Sequence, residues 1–167
     1  FTQGAGAVVV FFPGYASDMN GTKALYLESW CRDHDRAFLC FDYSGHGESE
    51  GEFTRGTIGQ WTNDALTIIN ESTTGPLVLV GSSMGGWIML LAALALGERV
   101  TGLVGIAPAP DFTKDLMWRS LSERDRQTLL EQGEVYPASD YVDDSFPITL
   151  KLIEEAEQQL VMNAPIN

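Results

Sequence analysis

The stretch PLVLVGSSMGGWIMLLAALAL, residues 76–96, decides the fold of this chain. Its first apolar run, residues 77–80, has the length and composition of a strand buried on both faces of a parallel sheet. Glycines and serines interrupt the run at residues 81–86, and residues 87–96 then continue as an apolar segment long enough for a helix. The pattern therefore predicts a buried strand, a sharp turn and a helix, in that order.

The turn matches G-x-S-x-G, the pattern of a nucleophile elbow. A serine on so tight a turn has a strained backbone, and the residues two before and two after it press against each other, so both need to be small. For Ser83 these neighbours are Gly81 and Gly85, whereas for Ser82 they would be a valine and a methionine. We therefore expect Ser83, not Ser82, to be the nucleophile, with the two glycines supporting the elbow.

Two other interpretations fit the same stretch. Residues 76–97 carry no charge and are long enough for a transmembrane helix, although the central glycines and serines would break such a helix. Alternatively, the glycines form only a tight turn between a strand and a helix, and the serines are incidental.

Composition excludes several classes of partner. The 167 residues carry a net charge of -13, which would repel nucleic acid and anionic membrane surfaces. Cys31 and Cys40 do not form a disulfide framework, so we expect a reducing compartment: the cytoplasm, or the mitochondrial matrix in a eukaryote. His34 and His46 lack metal-ligand spacing, and we expect neither a metal nor another cofactor.

Strands and helices alternate over residues 1–110. Further apolar runs predict strands at 7–12, 37–42 and 100–107, and helical patterns lie at 23–33 and from residue 58 onward. This alternation predicts an α/β fold, a parallel sheet with helices on both faces. Ligands bind at the carboxyl ends of such strands, so the loops that follow the four strands should converge on one crevice.

The pattern changes from Pro108. We expect residues 111–167 to form a second, mostly helical unit, with helices near 112–118, 123–132 and 148–161, Pro147 in the first turn of the last one, and Ser122 and Gly133 bounding the middle one. We interpret this unit as a lid over the crevice; the alternative is a helical extension packed elsewhere.

Four motifs together resemble the α/β-hydrolase superfamily: VVVFFPGY at 8–15, FDYSGHGES at 41–49, VLVGSSMGG at 78–86 and VGIAPAP at 104–110. More narrowly, SDMNGTKA, TIGQW and APAPDFT resemble a branch of palmitoyl-protein thioesterases and mycophenolic acid acyl-glucuronide esterases with bacterial relatives. The resemblance implies a partial α/β-hydrolase fold over residues 1–110, followed by the lid.

The same resemblance implies a mechanism. Ser83 would attack the carbonyl of a small-molecule ester or thioester, and the backbone N–H groups of Tyr15 and Met84 would form the oxyanion hole. Water would then release the acid from the acyl-serine intermediate.

The chain departs from the superfamily in one respect. The superfamily order is Ser, then Asp or Glu, then His, yet no histidine follows Ser83. His46 is a candidate for a substitute base, and Asp111 is a candidate for a substitute acid. Our leading hypothesis is a fragment of a hydrolase, truncated at both ends, that lacks its base and its acid. The alternative is a non-catalytic ligand- or protein-binding protein on a hydrolase scaffold.

Overall fold

Four parallel strands form the centre of the molecule. The computed structural model describes residues 1–137, 146–163 and 165–166. The strands lie in the order β2-β1-β3-β4 and are β1 Ala5–Phe12, β2 Arg36–Cys40, β3 Leu77–Ser82 and β4 Val100–Ile106. All three pairings are parallel. The register pairs Phe12 with Gly81 and Ser82 with Ile106, so β1, β3 and β4 end at the same level.

Three helices cover this sheet, and they are α1 Thr22–Asp33, α2 Ile58–Ser72 and α3 Met84–Leu96. Single 3-10 turns lie at Phe53–Arg55 and Gly97–Arg99. α1 packs on one face, where Ala24 and Cys31 join a small apolar cluster with Phe38 and Val80. α2 and α3 contribute to the larger cluster on the other face. The predicted α/β fold with a parallel sheet is confirmed.

The stretch at residues 76–97 is not a transmembrane helix. It divides into β3, a turn and α3, as the strand-turn-helix pattern predicted. Within the described residues, no helix is long and apolar enough to cross a membrane.

β4 is less covered than a parallel strand usually is. The side chains of Leu103, Val104 and Ile106 are all exposed, and within the described residues only β3 pairs with β4. An apolar strand with a free edge is a site where other chains can pair. The sheet is therefore well buried at β1 and β3 and open at β4.

The C-terminal part is partly helical, as expected. A π-helix at Thr113–Met117 runs into α4 Trp118–Ser120, and α5 spans Glu123–Gln132. Ser122 accepts a hydrogen bond from the Asp125 N–H at 3.1 Å, and Gly133 ends α5 with a φ of 82°. The predicted boundaries of α5 are therefore confirmed.

The predicted helix at 148–161 is wrong at both ends. Ile148 and Thr149 form β6, which pairs in antiparallel fashion with β5, Glu134–Val135. The helix α6 spans only Leu150–Ala156, and the Thr149 side chain caps its first turn by accepting from the Leu152 N–H at 3.1 Å. Pro147 consequently lies before β6 and not in the first turn of the helix.

Side-chain hydrogen bonds join this C-terminal part to the sheet and its helices. The Trp87 indole N–H donates to the Gln159 carbonyl at 3.0 Å, and the Gly59 N–H donates to both oxygens of Glu155 at 3.2 Å. Residues 138–145, 164 and 167 of the expected lid lie outside the described residues. The boundary of a separate lid unit at residue 111 stays a prediction.

Candidate active site

Ser83 lies at the junction between β3 and α3 in a conformation that few residues other than glycine adopt. Its φ is 53° and its ψ is -124°. Its N–H donates to the Ile106 carbonyl at 3.2 Å, and its carbonyl accepts from the N–H groups of Gly86 at 2.9 Å and Ala109 at 3.0 Å. Such a conformation costs on the order of 1–3 kcal/mol and persists because its surroundings fix it.

The glycines on either side of Ser83 are in direct contact. A Cβ added to Gly81 would lie 2.5 Å from the Gly85 carbonyl oxygen, and one added to Gly85 would overlap the carbonyls of Phe12 and Pro13. No side chain fits at either position. The geometry therefore accounts for glycine two residues before and two residues after Ser83.

Three hydrogen-bonding groups at this turn are free. Among the residues that the structure describes, neither the Ser83 hydroxyl nor the backbone N–H groups of Tyr15 and Met84 have a hydrogen-bond partner. A Cβ added to Gly14, which precedes Tyr15, would lie 3.4 Å from the Ser83 Cβ, so the β1 loop approaches the serine closely. Met84 is the first residue of α3, whose N-terminal dipole favours a negative charge there. The structure thus brings the β1 loop and the start of α3 to Ser83; the catalytic roles assigned to these groups remain predictions.

The Tyr15 side chain fixes the loop that carries this N–H. Its hydroxyl donates to the Pro147 carbonyl at 2.6 Å. Its ring packs edge to face with Phe53, Trp61 and Phe112, with centroid distances of 5.0, 6.1 and 6.1 Å. Burial raises the pKa of Tyr15 well above its usual value, so the hydroxyl remains a donor. The C-terminal part of the chain thus holds the β1 loop in place.

His46 is enclosed by aromatic rings and does not bond to Ser83. Only 3% of its surface is exposed, and the rings of Tyr43, Phe53 and Trp61 lie 5.4, 4.9 and 5.0 Å away. Its Nδ1 lies 3.5 Å from the Ser44 carbonyl, and its Nε2 has no partner among the described residues. Burial lowers the pKa of His46, which keeps the imidazole neutral. The structure gives no support to His46 as a substitute base.

The other histidine, His34, also forms no hydrogen bond with the Ser83 turn. His34 is exposed, its ring stacks on Trp30 at 4.2 Å, and its Nδ1 lies 2.8 Å from the Trp30 carbonyl. Neither histidine of the chain is therefore hydrogen-bonded to Ser83.

Asp111 forms no hydrogen bond to a histidine among the described residues, and both oxygens of its carboxylate accept hydrogen bonds from backbone N–H groups. Only 3% of the surface of Asp111 is exposed. One oxygen accepts from the Val161 N–H and the other from the Met162 N–H, both at 3.0 Å. Asp111 instead anchors the segment after α6 to the loop that follows β4.

Sequence patterns did not predict the residues that shape the loops around the turn. Asp42 accepts from the N–H groups of Met19 at 2.6 Å and Glu48 at 3.1 Å, and so joins the loops after β1 and β2. Asp64 accepts from both the N–H and the hydroxyl of Ser44. The only sequence signal was that Asp42 is the last residue of a predicted strand.

Metal and thiol chemistry have no evident place at this turn. Within the described ranges, no group of three His, Cys, Asp or Glu side chains is arranged to hold a metal ion. Cys31 and Cys40 are free thiols, and burial raises the pKa of Cys40 to about 12, so this thiol is not a nucleophile at neutral pH.

Sequence comparison identifies the family. The family described as "Serine aminopeptidase, S33" matches residues 3–141. The mouse mitochondrial palmitoyl-protein thioesterase ABHD10 is 40% identical over 159 residues, which are 95% of this chain and 53% of that protein. The human protein of the same name is 39% identical over 165 residues, or 98% of this chain and 54% of its own length. The chain therefore spans about half the length of the curated relatives it matches.

Solved structures give the same result. Alpha/beta hydrolase domain-containing protein 10 from mouse superposes with a TM-score of 0.87 at 39% identity, covering 99% of this chain and 66% of that one. A putative hydrolase from Agrobacterium vitis also has a TM-score of 0.87, at 38% identity, with 93% of this chain and 62% of that one covered. The fold is thus the part of an α/β-hydrolase that the four motifs indicated.

Gly85→Ala should destabilise the protein although the residue lies in a helix. Alanine in place of glycine ordinarily stabilises a helix by about 1 kcal/mol. Here the new Cβ would overlap the Phe12 and Pro13 carbonyls, so we expect a loss of roughly 1–3 kcal/mol in the free energy of unfolding. Urea unfolding measures it, with Gly75→Ala as the control, since nothing lies within 4 Å of a Cβ there. Equal effects of the two substitutions would contradict the tight contact.

Asp111→Asn should also destabilise the protein. Asparagine tolerates the φ of 57° at this position, but its amide offers one acceptor oxygen where two N–H groups need partners. We expect a loss of about 1–3 kcal/mol in urea unfolding, the cost of an unmade hydrogen bond to a charged group. Glu154→Gln, the same charge change on an exposed side chain, should have little effect. An unchanged midpoint for Asp111→Asn would show that the anchor is unimportant.

We expect the buried His46 to lower the free energy of unfolding of the protein as the pH decreases. The pKa of His46 is lowered in the folded state by burial, whereas a histidine in an unfolded chain has a pKa of about 6.5. Below that pH the unfolded chain binds the proton more readily, so the stability present above it is lost as the pH falls toward the folded pKa. Between pH 7.5 and pH 5.5, His46→Phe should therefore lose less stability than the unmodified protein. His34→Gln should behave like the unmodified protein; if it instead removed the pH dependence, the assignment to His46 would be wrong.

Proposed function

Because the chain belongs to the serine aminopeptidase S33 family of α/β-hydrolases, we propose that Ser83 is the nucleophile of a serine hydrolase that cleaves carboxylic esters or thioesters. One observation carries the proposal. The Ser83 hydroxyl is exposed and free of hydrogen bonds on a strained turn between a strand and a helix, beside two unpaired backbone N–H groups. A turn that only connected a strand to a helix would not require this combination.

The chemistry proceeds in two steps. The Ser83 oxygen bonds to the substrate carbonyl carbon, and the tetrahedral oxyanion accepts hydrogen bonds from the N–H groups of Tyr15 and Met84. The bond to the alcohol or thiol then breaks, the leaving group takes the serine proton, and an acyl-serine remains. Water adds to this ester in the same way, releases the carboxylic acid and restores the hydroxyl.

Neither of the two histidines of this chain is hydrogen-bonded to Ser83, so neither is positioned to carry the proton between these steps. His46 lies in its aromatic enclosure and His34 stacks on Trp30. We propose that the protein relies on a base from outside the described residues. Without that base, the described part of the chain retains only the rate enhancement that the oxyanion hole provides.

The relatives suggest the substrate class. The mouse and human proteins are named palmitoyl-protein thioesterases, and we extend the thioester class to this chain on the basis of 39–40% identity over 95–98% of its length. A role of residues 111–167 as a lid is part of the same proposal, supported by the Tyr15 hydrogen bond to Pro147. A location in the cytoplasm or the mitochondrial matrix stays a proposal as well.

A non-catalytic binding protein is the second candidate. It is favoured by the absence of any hydrogen bond between Ser83 and a histidine among the described residues. In that case the crevice would hold an acyl compound without cleaving it. Acylation of Ser83 distinguishes the two candidates.

The test is the rate at which each serine of the chain becomes acetylated by 4-nitrophenyl acetate. An oxyanion hole without a base retains about 10³–10⁴-fold catalysis over water, so Ser83 should react at least about tenfold faster than the exposed Ser72. Peptide mass spectrometry after timed quenching measures both rates in one sample. Ser83→Ala should lose the fast adduct, and Ser72→Ala should keep it. Equal rates at the two serines would favour the binding protein.

A further inference from the structure

A cavity lies between the end of β1 and the beginning of α1. Its volume is about 200 Å³, and its lining includes Phe11, Gly14, Ser17, Lys23 and Ser82. All of these residues lie within the described part of the chain. The cavity is distinct from the aromatic enclosure of His46.

The N-terminus of α1 opens into this cavity without a cap. Gly21 occupies the N-cap position and has no side chain to accept a hydrogen bond, and the first intrahelical bond is that from the Leu25 N–H to the Gly21 carbonyl. The N–H groups of Thr22, Lys23 and Ala24 consequently have no partner among the described residues. Ala24 is only 2% exposed, and an unpaired amide in a buried residue requires a partner.

Ser82 provides an independent indication of a ligand. It is 7% exposed, lines the cavity, and its hydroxyl has no partner in the described ranges. Side chains alternate along β3, so Ser82 projects to the same face as Val80, which packs with Phe11 and Ala24 under α1. The unpaired hydroxyl of this largely buried residue therefore lies at the same cavity as the free helix amides.

The charges around the cavity favour an anion. Lys23 contributes an ammonium group that takes part in no ion pair among the described residues, and the dipole of the 12-residue helix adds positive potential. One carboxylate also lines the cavity, that of Asp18, but it accepts from the Asn20 N–H at 2.8 Å. The Asp18 charge offsets that of Lys23, so the positive potential comes from the dipole of α1, and the donors are three amides, one hydroxyl and one ammonium group.

We infer that the cavity binds a small oxyanion, a phosphoryl or carboxylate group held by the amides at the start of α1, the Lys23 ammonium and the Ser82 hydroxyl. Helix N-termini bind phosphates and carboxylates through free amides in this way. None of these donors is the Ser83 hydroxyl or one of the oxyanion N–H groups, so anion binding here does not require the proposed hydrolase activity.

Amide chemical shifts of the ¹⁵N-labelled chain test the inference. Sodium phosphate and sodium acetate are titrated separately at constant pH and ionic strength. Saturable shifts of Thr22, Lys23 and Ala24 with either salt support the site, and the salt that binds more tightly identifies the group as phosphoryl or carboxylate. Absence of saturable shifts with both salts overturns it.

Variants assign the binding to this cavity. Ser82→Ala and Lys23→Gln should each weaken binding by about tenfold, as loss of one charge-assisted hydrogen bond does, while Lys114→Gln should not. Thr22→Asp places a carboxylate at the start of α1 and should abolish binding while raising the thermal midpoint, which excludes misfolding as the cause. Equal weakening by Lys23→Gln and Lys114→Gln would show a nonspecific charge effect and overturn the inference.

Discussion

The contact between the backbone of the Ser83 turn and the end of β1 is the constraint on which the rest of the structure depends. Gly85 lies directly against the Phe12 and Pro13 carbonyls, and Gly81 against Gly85. With any side chain at these positions, α3 could not begin immediately after β3. The Ser83 turn, the approach of the β1 loop and the packing of α3 on the sheet all follow from this absence of side chains.

Sequence patterns predicted the sheet and its helices because one local rule determined each element. Strands β1 and β3 each contain an uninterrupted apolar run, and α5 is bounded by a serine cap and a glycine with positive φ, so each could be predicted from a few neighbouring residues. The structure of the segment at 148–161 depends instead on a contact between residues that are distant in the sequence. There the pairing of Ile148 with Val135 competes with helix formation, and a contact between distant residues is invisible to periodicity.

The candidate site was predictable to the same extent. The spacing of small residues around Ser83 indicated the turn, since steric exclusion is a property of adjacent residues. Asp111 looked available as an acid because its partners, the amides of Val161 and Met162, are 50 and 51 residues further along the chain. His46 likewise gave no sign of its enclosure, which depends on Trp61 from α2. Roles that arise from tertiary bonds could not be predicted.

The central claim, that Ser83 and two backbone amides form an acylation site, is tested most directly by a crystal structure of the chain after reaction with a fluorophosphonate. The account predicts a single adduct on Ser83, with the phosphonyl oxygen about 2.7–3.1 Å from the N–H nitrogens of Tyr15 and Met84. An adduct on another residue would contradict it. An oxygen on Ser83 that points into solvent, away from both amides, would contradict it equally.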